Sequence, residues 1–463
     1  MVAGHLDRLI STGRADMGPD PCAMWMSSLD VRTGRYPEDD SRPPNFPKRV
    51  YRNIDAPRGC TIYWDQPLLA AAHALSGRIG DARYGRAADE YVRAFLQRCV
   101  APNGVFLWGN HYYWDAFAGC VKRFVGGEEP VAVDMRTEDG SLHEMRPLPP
   151  AWECFWAVSP EATAREIRQA SGMHLFDSGG GFDRHAGGQP GHAFLESGGI
   201  LCESLCWLSA RAKDRTLAET ALRIARFNWA YRAPATDLVP VSPLARRWDH
   251  NTCTTEVGLW AGSLLRAGRY SGMPEFLGMA HQAVLAYLRL GWDGEGRRYF
   301  GCLNVSDGRP VLGPRETVYQ PGDHADLWDP LFPRHDYPLA MAETCVHLYE
   351  LTGEKDFEEA ILRWARMIAG ETPARGGRGA YAEQYGRCIH FLTSAARVLN
   401  DPSYLDQARS LAEEATTTLM AHGMFRGHPG EERCDAVDGV GLLLLALLGL
   451  DGAGEPDGMG FAF

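Results

Sequence analysis

Two aspartates next to tryptophans are the residues whose types could do acid–base chemistry in this chain. Asp65 follows Trp64, and Asp115 follows Trp114. An adjacent indole desolvates a carboxyl group, which raises its pKa and favours the protonated form. Such an acid can protonate the leaving oxygen of a glycosidic bond while a second group activates water or attacks. A plain helix N-cap is the structural alternative for either aspartate.

Four histidines in four different predicted loops are candidate general bases or hydroxyl-binding groups. They are His111, His185, His250 and His335, beside Asn110, Arg184, Asp249 and Asp336. No H-x-x-x-H or paired Cys/His spacing is present, so the sequence predicts no metal site and no cofactor. A P-loop, a nucleophile elbow and a dinucleotide fingerprint are absent as well.

Aromatic residues and arginines are concentrated in the same loops. Aromatic faces stack on sugar rings, and the candidates for this role are Trp64, Trp108, Tyr112 and Trp248. A guanidinium group binds carboxylate through two parallel hydrogen bonds. In a chain of net charge -12, Arg184 and Arg334 at one opening therefore indicate a uronic acid. Core packing of the aromatics and ion pairing of the arginines are the structural alternatives.

The elements that must position these residues are repeated helix pairs. An apolar helix ends at a short Gly/Asp/Asn turn, and an aromatic residue then enters an Ala-rich second helix, as in LLAAAHALSGRIGDARYGRAADEYVRAFL. About six such units predict an all-α, closed (α/α)6 toroid with β-hairpin insertions near 131–145 and 299–311. An open superhelical solenoid is the alternative. We expect an extended arm over residues 1–59 and a single toroid over 60–463.

Composition restricts the partners and the cell compartment. A net charge of -12 argues against nucleic acid, and the longest apolar run, Leu442 to Leu450, is far below the roughly 20 residues of a membrane span. Residues 1–10 carry charges where a signal peptide has an apolar core, and the 12 cysteines include no C-x-x-C pair, so we expect a cytoplasmic protein. A homodimer is compatible with the sequence.

The stretch that begins at Trp64, WDQPLLAAAHALSGRIGDARYGRAADEYVRAFL, resembles a hairpin of six-hairpin-toroid glycosidases. It is most similar to the unsaturated glucuronyl and rhamnogalacturonyl hydrolases, and a β-glucuronidase on the same fold is equally compatible. This resemblance implies that Asp65 is the proton donor. Asp115 or His111 would then be its partner, with Arg184, His185 and His250 holding an oligosaccharide that contains uronic acid.

The segment Asn110-His111-Tyr112-Tyr113-Trp114 resembles the Asn-His-x-Tyr-Trp segment of toroid alginate lyases. That resemblance implies that Asn110 and His111 neutralise the uronate carboxylate and that Tyr112 or Tyr113 moves the proton. We expect an exo-acting uronate hydrolase first and a β-eliminating lyase as the alternative. A sugar epimerase with paired histidines and a non-catalytic helical scaffold are the remaining hypotheses.

Overall fold

The computed structural model describes residues 1–37, 56–125, 129–187, 189–314, 319–328, 337–373 and 379–452. Helices dominate these ranges: α1 (Val2–Thr12), α2 (Ile62–Ile79), α3 (Arg83–Arg98), α4 (Trp152–Val158), α5 (Pro160–His174), α6 (Leu195–Ala212), α7 (Arg215–Ala230), α8 (Thr254–Ser271), α9 (Pro274–Leu290), α10 (Leu339–Thr352), α11 (Lys355–Gly370), α12 (Ala382–Leu399), α13 (Ser403–Leu419) and α14 (Val440–Gly452). Across the same ranges, no helix combines the length and apolar composition that a membrane crossing requires.

Six consecutive helical hairpins, from α2/α3 to α12/α13, build the (α/α)6 toroid that was predicted, and α14 closes the ring between the last hairpin and the first. The first helix of most pairs is buried almost all round, whereas the second buries one face, which separates inner from outer helices. Neighbouring inner helices contact one another, and the wholly apolar α14 packs between α12 and α2. Helix α1 lies against α14, α2 and α3. Because the ring closes, the open solenoid is wrong.

The inner helices run parallel and begin at the same rim. A Cβ atom on Gly258, early in α8, would lie 2.3 Å from the backbone nitrogen of Met341, early in α10. A Cβ atom on Gly441, early in α14, would lie 2.5 Å from the backbone nitrogen of Leu68 in α2. Only glycine permits such close backbone approach. The loops that precede the inner helices therefore surround one opening.

The segment from residue 152 to residue 174 is divided into two helices, α4 and α5. Pro160 cannot donate the backbone hydrogen bond that would continue α4. The Ser159 side chain instead accepts a hydrogen bond from the Ala162 backbone N–H at 3.3 Å and caps α5. This break produces the second hairpin of the ring. Short α4 joins its inner neighbours through Trp152, whose indole N–H donates to Ser204 of α6 at 3.0 Å.

The described strands are short and stand outside the helical ring: β1 (Ser28–Asp30), β2 (Gly59–Cys60), β3 (Tyr112–Asp115), β4 (Cys120–Arg123), β5 (Val131–Ala132), β6 (Asn251–Cys253), β7 (Trp292–Asp293), β8 (Arg298–Tyr299), β9 (Cys302–Asn304), β10 (Met420–Ala421), β11 (Met424–Phe425) and β12 (Arg433–Asp435). Strands β2 to β5 form one antiparallel sheet, and β9 pairs with distant β6. The hairpin predicted at 299–311 is present in short form, since Leu303 pairs with Pro310 and the Val311 backbone N–H donates to the Cys302 carbonyl at 3.0 Å. The hairpin predicted at 131–145 does not form, because β5 pairs with β4 and Glu144 pairs with His185, and such pairing is not visible in local alternation.

The N-terminal region is less extended than predicted. Residues 2–12 form α1, which buries His5, Leu6 and Leu9, and β1 pairs with β12, with Leu29 opposite Cys434. Residues 38–55 lie outside the described ranges. The division of the chain at residue 59 stays a prediction.

Candidate active site

Two loop segments pair with each other at the rim, shortly before α6 begins. Glu144 and His185 form an antiparallel β-bridge, and the Met145 backbone N–H donates to the Arg184 carbonyl at 2.9 Å. This pairing fixes the backbone of both loops. It places the side chains of Glu144, Arg184 and His185 side by side, although they are some forty residues apart in the sequence.

Glu144 is the centre of a buried charge cluster. One of its oxygens, Oε1, accepts hydrogen bonds from Arg184 Nη2 at 2.6 Å and from Arg146 Nη1 at 3.1 Å. The Nε2 atoms of His111 and His185 lie 3.3 and 3.4 Å from the Glu144 carboxylate. Burial by itself would raise the pKa of Glu144, but Arg184 and the two histidines outweigh it and hold that pKa well below its ordinary value. The carboxylate is therefore ionised.

Asp183 organises the loop on the solvent side of this cluster. Its carboxylate accepts backbone hydrogen bonds from His185 at 2.9 Å and from His192 at 2.7 Å. Burial lowers the pKa of His185, but the carboxylates of Asp183 and Glu144 more than compensate and raise it to about 9. His185 is therefore protonated at neutral pH. The side chains of His185 and His192 are 45% and 48% exposed, so the cluster opens to solvent at this point.

The same residues offer ligands for a cation. One donor atom each from Asp183, His185 and His192 lies within 4.8 Å of the others, and His111 and Glu144 add a third imidazole and a second carboxylate beside His185. Imidazole nitrogen and carboxylate oxygen together suit divalent transition metals. No metal site was predicted because Asp183, His185 and His192 share one loop at spacings of two and seven residues, which match no metal-binding motif, and His111 and Glu144 come from two other loops.

A carboxyl pair lies behind Arg184, in the first turns of α6 and α8. Glu196 Oε1 is 3.9 Å from Arg184 Nη1, and the Glu196 backbone N–H donates to Glu256 Oε2 at 3.2 Å. Burial, reinforced by the charge of Glu196, raises the pKa of Glu256 well above its ordinary value. The pair therefore holds one proton. Arg184 also donates to the Tyr319 hydroxyl at 2.7 Å.

Several predicted site residues come together here. His111, Arg184 and His185 meet at Glu144. The preceding Asn110 is buried, and its side-chain oxygen has no hydrogen-bond partner within the described ranges. Trp248 packs near Arg184 through Phe194, and His250 follows it, paired with Asp249 at 3.3 Å; both lie on the neighbouring loop.

Other predicted site residues belong to the core. Trp64 and Trp108 are 1% and 4% exposed, so neither can stack on a sugar. The Trp108 indole N–H donates to His143 at 3.0 Å. Asp65 accepts a hydrogen bond from the Tyr91 hydroxyl of outer helix α3 at 2.7 Å. This hydrogen bond ties Asp65 to the outer layer of helices and gives no support to the acid role predicted for it.

The residues of β3 also point to structural roles. Asp115 accepts backbone hydrogen bonds from Phe117 and Ala118 at 3.0 and 2.9 Å and pairs with Lys122 at 2.6 Å, so it closes the β3–β4 turn. The Tyr112 hydroxyl donates to Glu138 at 2.7 Å. Tyr113 is buried and stacked on Phe124. Arg334 and His335 lie outside the described residues.

Glu144, Glu196, Glu256 and Tyr319 were absent from the predicted site. The only sequence signal for Glu196 and Glu256 is their position, each in the first turn of an inner helix. An acidic residue there is common in any helix, because it interacts favourably with the helix dipole.

The fold and the site define a toroidal carbohydrate-active enzyme, as the resemblance of the sequence implied. Residues 63–195 match the family described as periplasmic pectate lyase. The matched segment contains His111, Glu144, Arg184 and His185, and it ends where α6 begins. This match supports the class of enzymes that act on carbohydrate, and it does not by itself establish a specificity for uronic acid.

Solved structures with a similar fold include a family 76 glycoside hydrolase from a bovine Bacteroides thetaiotaomicron strain, at 12% identity and a TM-score of 0.49 over 96% of this chain and 76% of that one. A cellobiose 2-epimerase from Bacillus thermoamylovorans is 8% identical, with a TM-score of 0.48 over 96% of this chain and 98% of the epimerase. An unsaturated glucuronyl hydrolase variant with its oligosaccharide is 15% identical, with a TM-score of 0.45 over 85% of this chain and 98% of the hydrolase. Such values carry no information on the substrate.

The predicted cytoplasmic location is wrong, because the matching family is described as periplasmic. The prediction depended on the charged residues 1–10. Those residues are part of α1 in the folded domain, so their composition reflects packing against the toroid. The 12 cysteines also give no support, since those in the core serve as small apolar side chains in either compartment.

Proposed function

We propose that the protein cleaves a uronate-containing polysaccharide by β-elimination. The observation that carries this proposal is the cluster of His111, Glu144, Arg184 and His185, which lies wholly within the segment that matches a pectate lyase family. β-Elimination requires that the uronate carboxylate be neutralised, that the proton on C5 be removed, and that the leaving oxygen be protonated. Preorganised cationic groups and positioned proton carriers supply these functions.

The contacts suggest how these roles are divided. His185 is protonated and partly exposed, so it can pair with the substrate carboxylate beside His111. Arg184 Nη1 donates to the Tyr319 hydroxyl at 2.7 Å, but burial raises the pKa of Tyr319 more than Arg184 lowers it, so this hydroxyl keeps its proton and can donate it to the leaving oxygen. We therefore assign proton transfer to the pair Arg184–Tyr319 rather than to Tyr112, whose hydroxyl is bound to a glutamate. If a divalent cation were held by His111, Glu144 and His185 instead, His185 would bind it as the neutral imidazole, and the cation would take over the neutralisation of the carboxylate.

Hydrolysis is less well supported by the positions of the carboxyl groups. A glycosidase needs two carboxyl groups about 5–9.5 Å apart on either side of the bond. Glu196 and Glu256 are in direct hydrogen-bond contact, and Asp65 is bound to Tyr91. The glucuronidase and unsaturated glucuronyl hydrolase hypotheses therefore draw less support from these contacts than β-elimination does. An epimerase is the second candidate, because His111 and His185 flank one carboxylate and could act as its paired histidines.

The test is to incubate the enzyme with pectate and alginate and to follow the ultraviolet absorbance of the 4,5-unsaturated uronate. A lyase creates this absorbance. A hydrolase releases reducing ends without producing this absorbance. An epimerase changes neither the absorbance nor the number of reducing ends. Either of these two outcomes would refute the proposal.

Arg184→Lys provides the residue-level test. It should lower kcat/KM by about 100-fold or more, because a lysine cannot make the two parallel hydrogen bonds of a guanidinium group. The matched control is Arg266→Lys, which alters a half-buried arginine that is bound to the Glu203 carboxylate at 2.7 and 2.8 Å. Arg266 lies ten residues beyond Glu256 in α8, about 15 Å from the rim, so its replacement should leave kcat/KM nearly unchanged.

A further inference from the structure

Two adjacent arginines on the loop of residues 241–251 are exposed and have no ion-pair partner in the part of the chain that the structure describes. They are Arg246 and Arg247. Exposed arginines elsewhere are commonly paired, as Arg168 is with Asp214 at 3.0 Å. In a chain of net charge -12, two uncompensated neighbouring cations produce a local positive surface that attracts anions.

The backbone of this loop is tightly held. The Leu195 backbone N–H, at the start of α6, donates to the Val241 carbonyl at 2.9 Å, and the Val241 N–H donates to the Asn251 carbonyl at 2.8 Å. Leu244 is exposed yet has φ +71°, a left-handed conformation that is costly for a bulky residue. The loop therefore keeps its arginines at a defined place next to the helix that carries Glu196.

A row of aromatic rings connects these arginines with the candidate active site. The Arg247 guanidinium lies 5.3 Å from the centre of the Trp248 ring. Trp248 is 5.1 Å from Phe194 and 5.4 Å from Tyr319, and Arg184 lies 4.6 Å above Phe194. The buried indole N–H of Trp248 has no hydrogen-bond partner in the described residues. The arrangement is a row of ring contacts with a guanidinium group at each end, in which Phe194 is buried and Trp248 and Tyr319 are half-buried.

We propose that Arg246 and Arg247 form a second carboxylate subsite, so that the substrate is a polyuronate with acidic groups on consecutive sugars. This inference rests on the proposed function. One uronate would occupy the cluster around Glu144, the chain would stack along Trp248, and a neighbouring carboxylate would meet the two guanidinium groups. The nearby Asp249 carboxylate is already paired with His250 at 3.3 Å. A glycan with isolated uronates would leave this subsite unused.

The experiment compares the double variant Arg246→Gln/Arg247→Gln with the control Arg86→Gln/Arg93→Gln. The control removes the same charge from the exposed face of outer helix α3. With pectate, the first variant should raise KM about five- to tenfold, which corresponds to two exposed ion pairs, and should leave kcat within about twofold. Its KM should also depend less on salt. A short substrate with a single uronate should be unaffected.

A binding measurement separates failure of the subsite from failure of the lyase proposal. Isothermal titration of both double variants with oligogalacturonate does not depend on turnover. Weaker binding of the Arg246/Arg247 variant alone supports the subsite, even if the wild-type protein makes no unsaturated product and the lyase proposal fails. Equal binding by both double variants, or the same loss with the single-uronate substrate, would overturn it.

Discussion

Replacement of Glu144 by glutamine tests whether one carboxylate holds the candidate site together. The glutamine keeps the shape and one acceptor oxygen but removes the charge that faces Arg184, Arg146, His111 and His185. Both arginines are buried, at 6% and 4% exposure, so they cannot regain solvation from water. Removal of one partner from a buried ion pair costs about 3–5 kcal/mol. We expect the free energy of unfolding to fall by that amount.

The same variant should change the titration of His185. Its pKa of about 9 depends on Asp183 and Glu144, so loss of the Glu144 charge should move that pKa toward the ordinary value of about 6.5. The assay is a proton NMR titration, with the His185 signal identified by its absence from the His185→Asn variant. Denaturant unfolding measures the stability change. Loss of the lyase product by at least about 100-fold is the expected result for activity.

Asp134→Asn is the control, because it removes the same charge from an exposed pair with Arg136. We expect no measurable change in stability or activity. If Glu144→Gln behaves like this control and the pKa of His185 remains about 9, then the cluster is not organised by Glu144 and the reasoning about the site is refuted.

Three further predictions concern the framework. Gly258→Ala should destabilise the protein by about 1–3 kcal/mol. The control Gly278→Ala, on outer helix α9, should not, because a Cβ atom there meets nothing within 4 Å. Equal unfolding midpoints for the two variants would contradict the close approach of the inner helices. His5 and His174 are buried with pKa values lowered, mainly by burial, to about 4 and about 3. As the pH falls below about 6.5, these histidines are protonated in the unfolded chain before they are protonated in the folded protein. Each histidine should therefore lower the free energy of unfolding by about 1.4 kcal/mol per pH unit, down to its folded pKa. Unfolding measured at several pH values gives this slope, and His5→Asn should reduce it. Asp65→Asn should lower stability by about 1–3 kcal/mol with little change in kcat; unchanged stability with a large loss of kcat would restore Asp65 as the catalytic acid.

The ring of helix pairs could be predicted because its signals are local. Apolar spacing, short Gly/Asp turns and the apolar segment around Leu443 report on each helix separately, and helix pairs of this kind must stack on one another to bury both faces. The break between α4 and α5 also has a local signal in the sequence, because Pro160 cannot continue the helix that precedes it. The pairing of strand β6 with strand β9, which places Cys253 opposite Cys302, was not predictable. The two strands lie about fifty residues apart, and strands this short carry little sequence pattern.

The candidate site was predicted only in part. His111, Arg184 and His185 were found because unusual polar residues on the long loops are expected at one rim. The acid role of Asp65 stays a prediction, because an adjacent indole indicates that a carboxyl group is desolvated but does not show which way the helix turns it. Glu144 was missed, since nothing in its local sequence distinguishes it from any other acidic loop residue.

From the sequence alone, then, came the toroid, the rim on which the chemistry lies, and the preference for an acidic sugar as a hypothesis. The tertiary structure alone decided that Glu144 joins two arginines and two histidines and that Glu196 meets Glu256. The reason is physical: these contacts depend on the rotation of each inner helix and on how separate loops meet, and both follow from the packing of the whole ring.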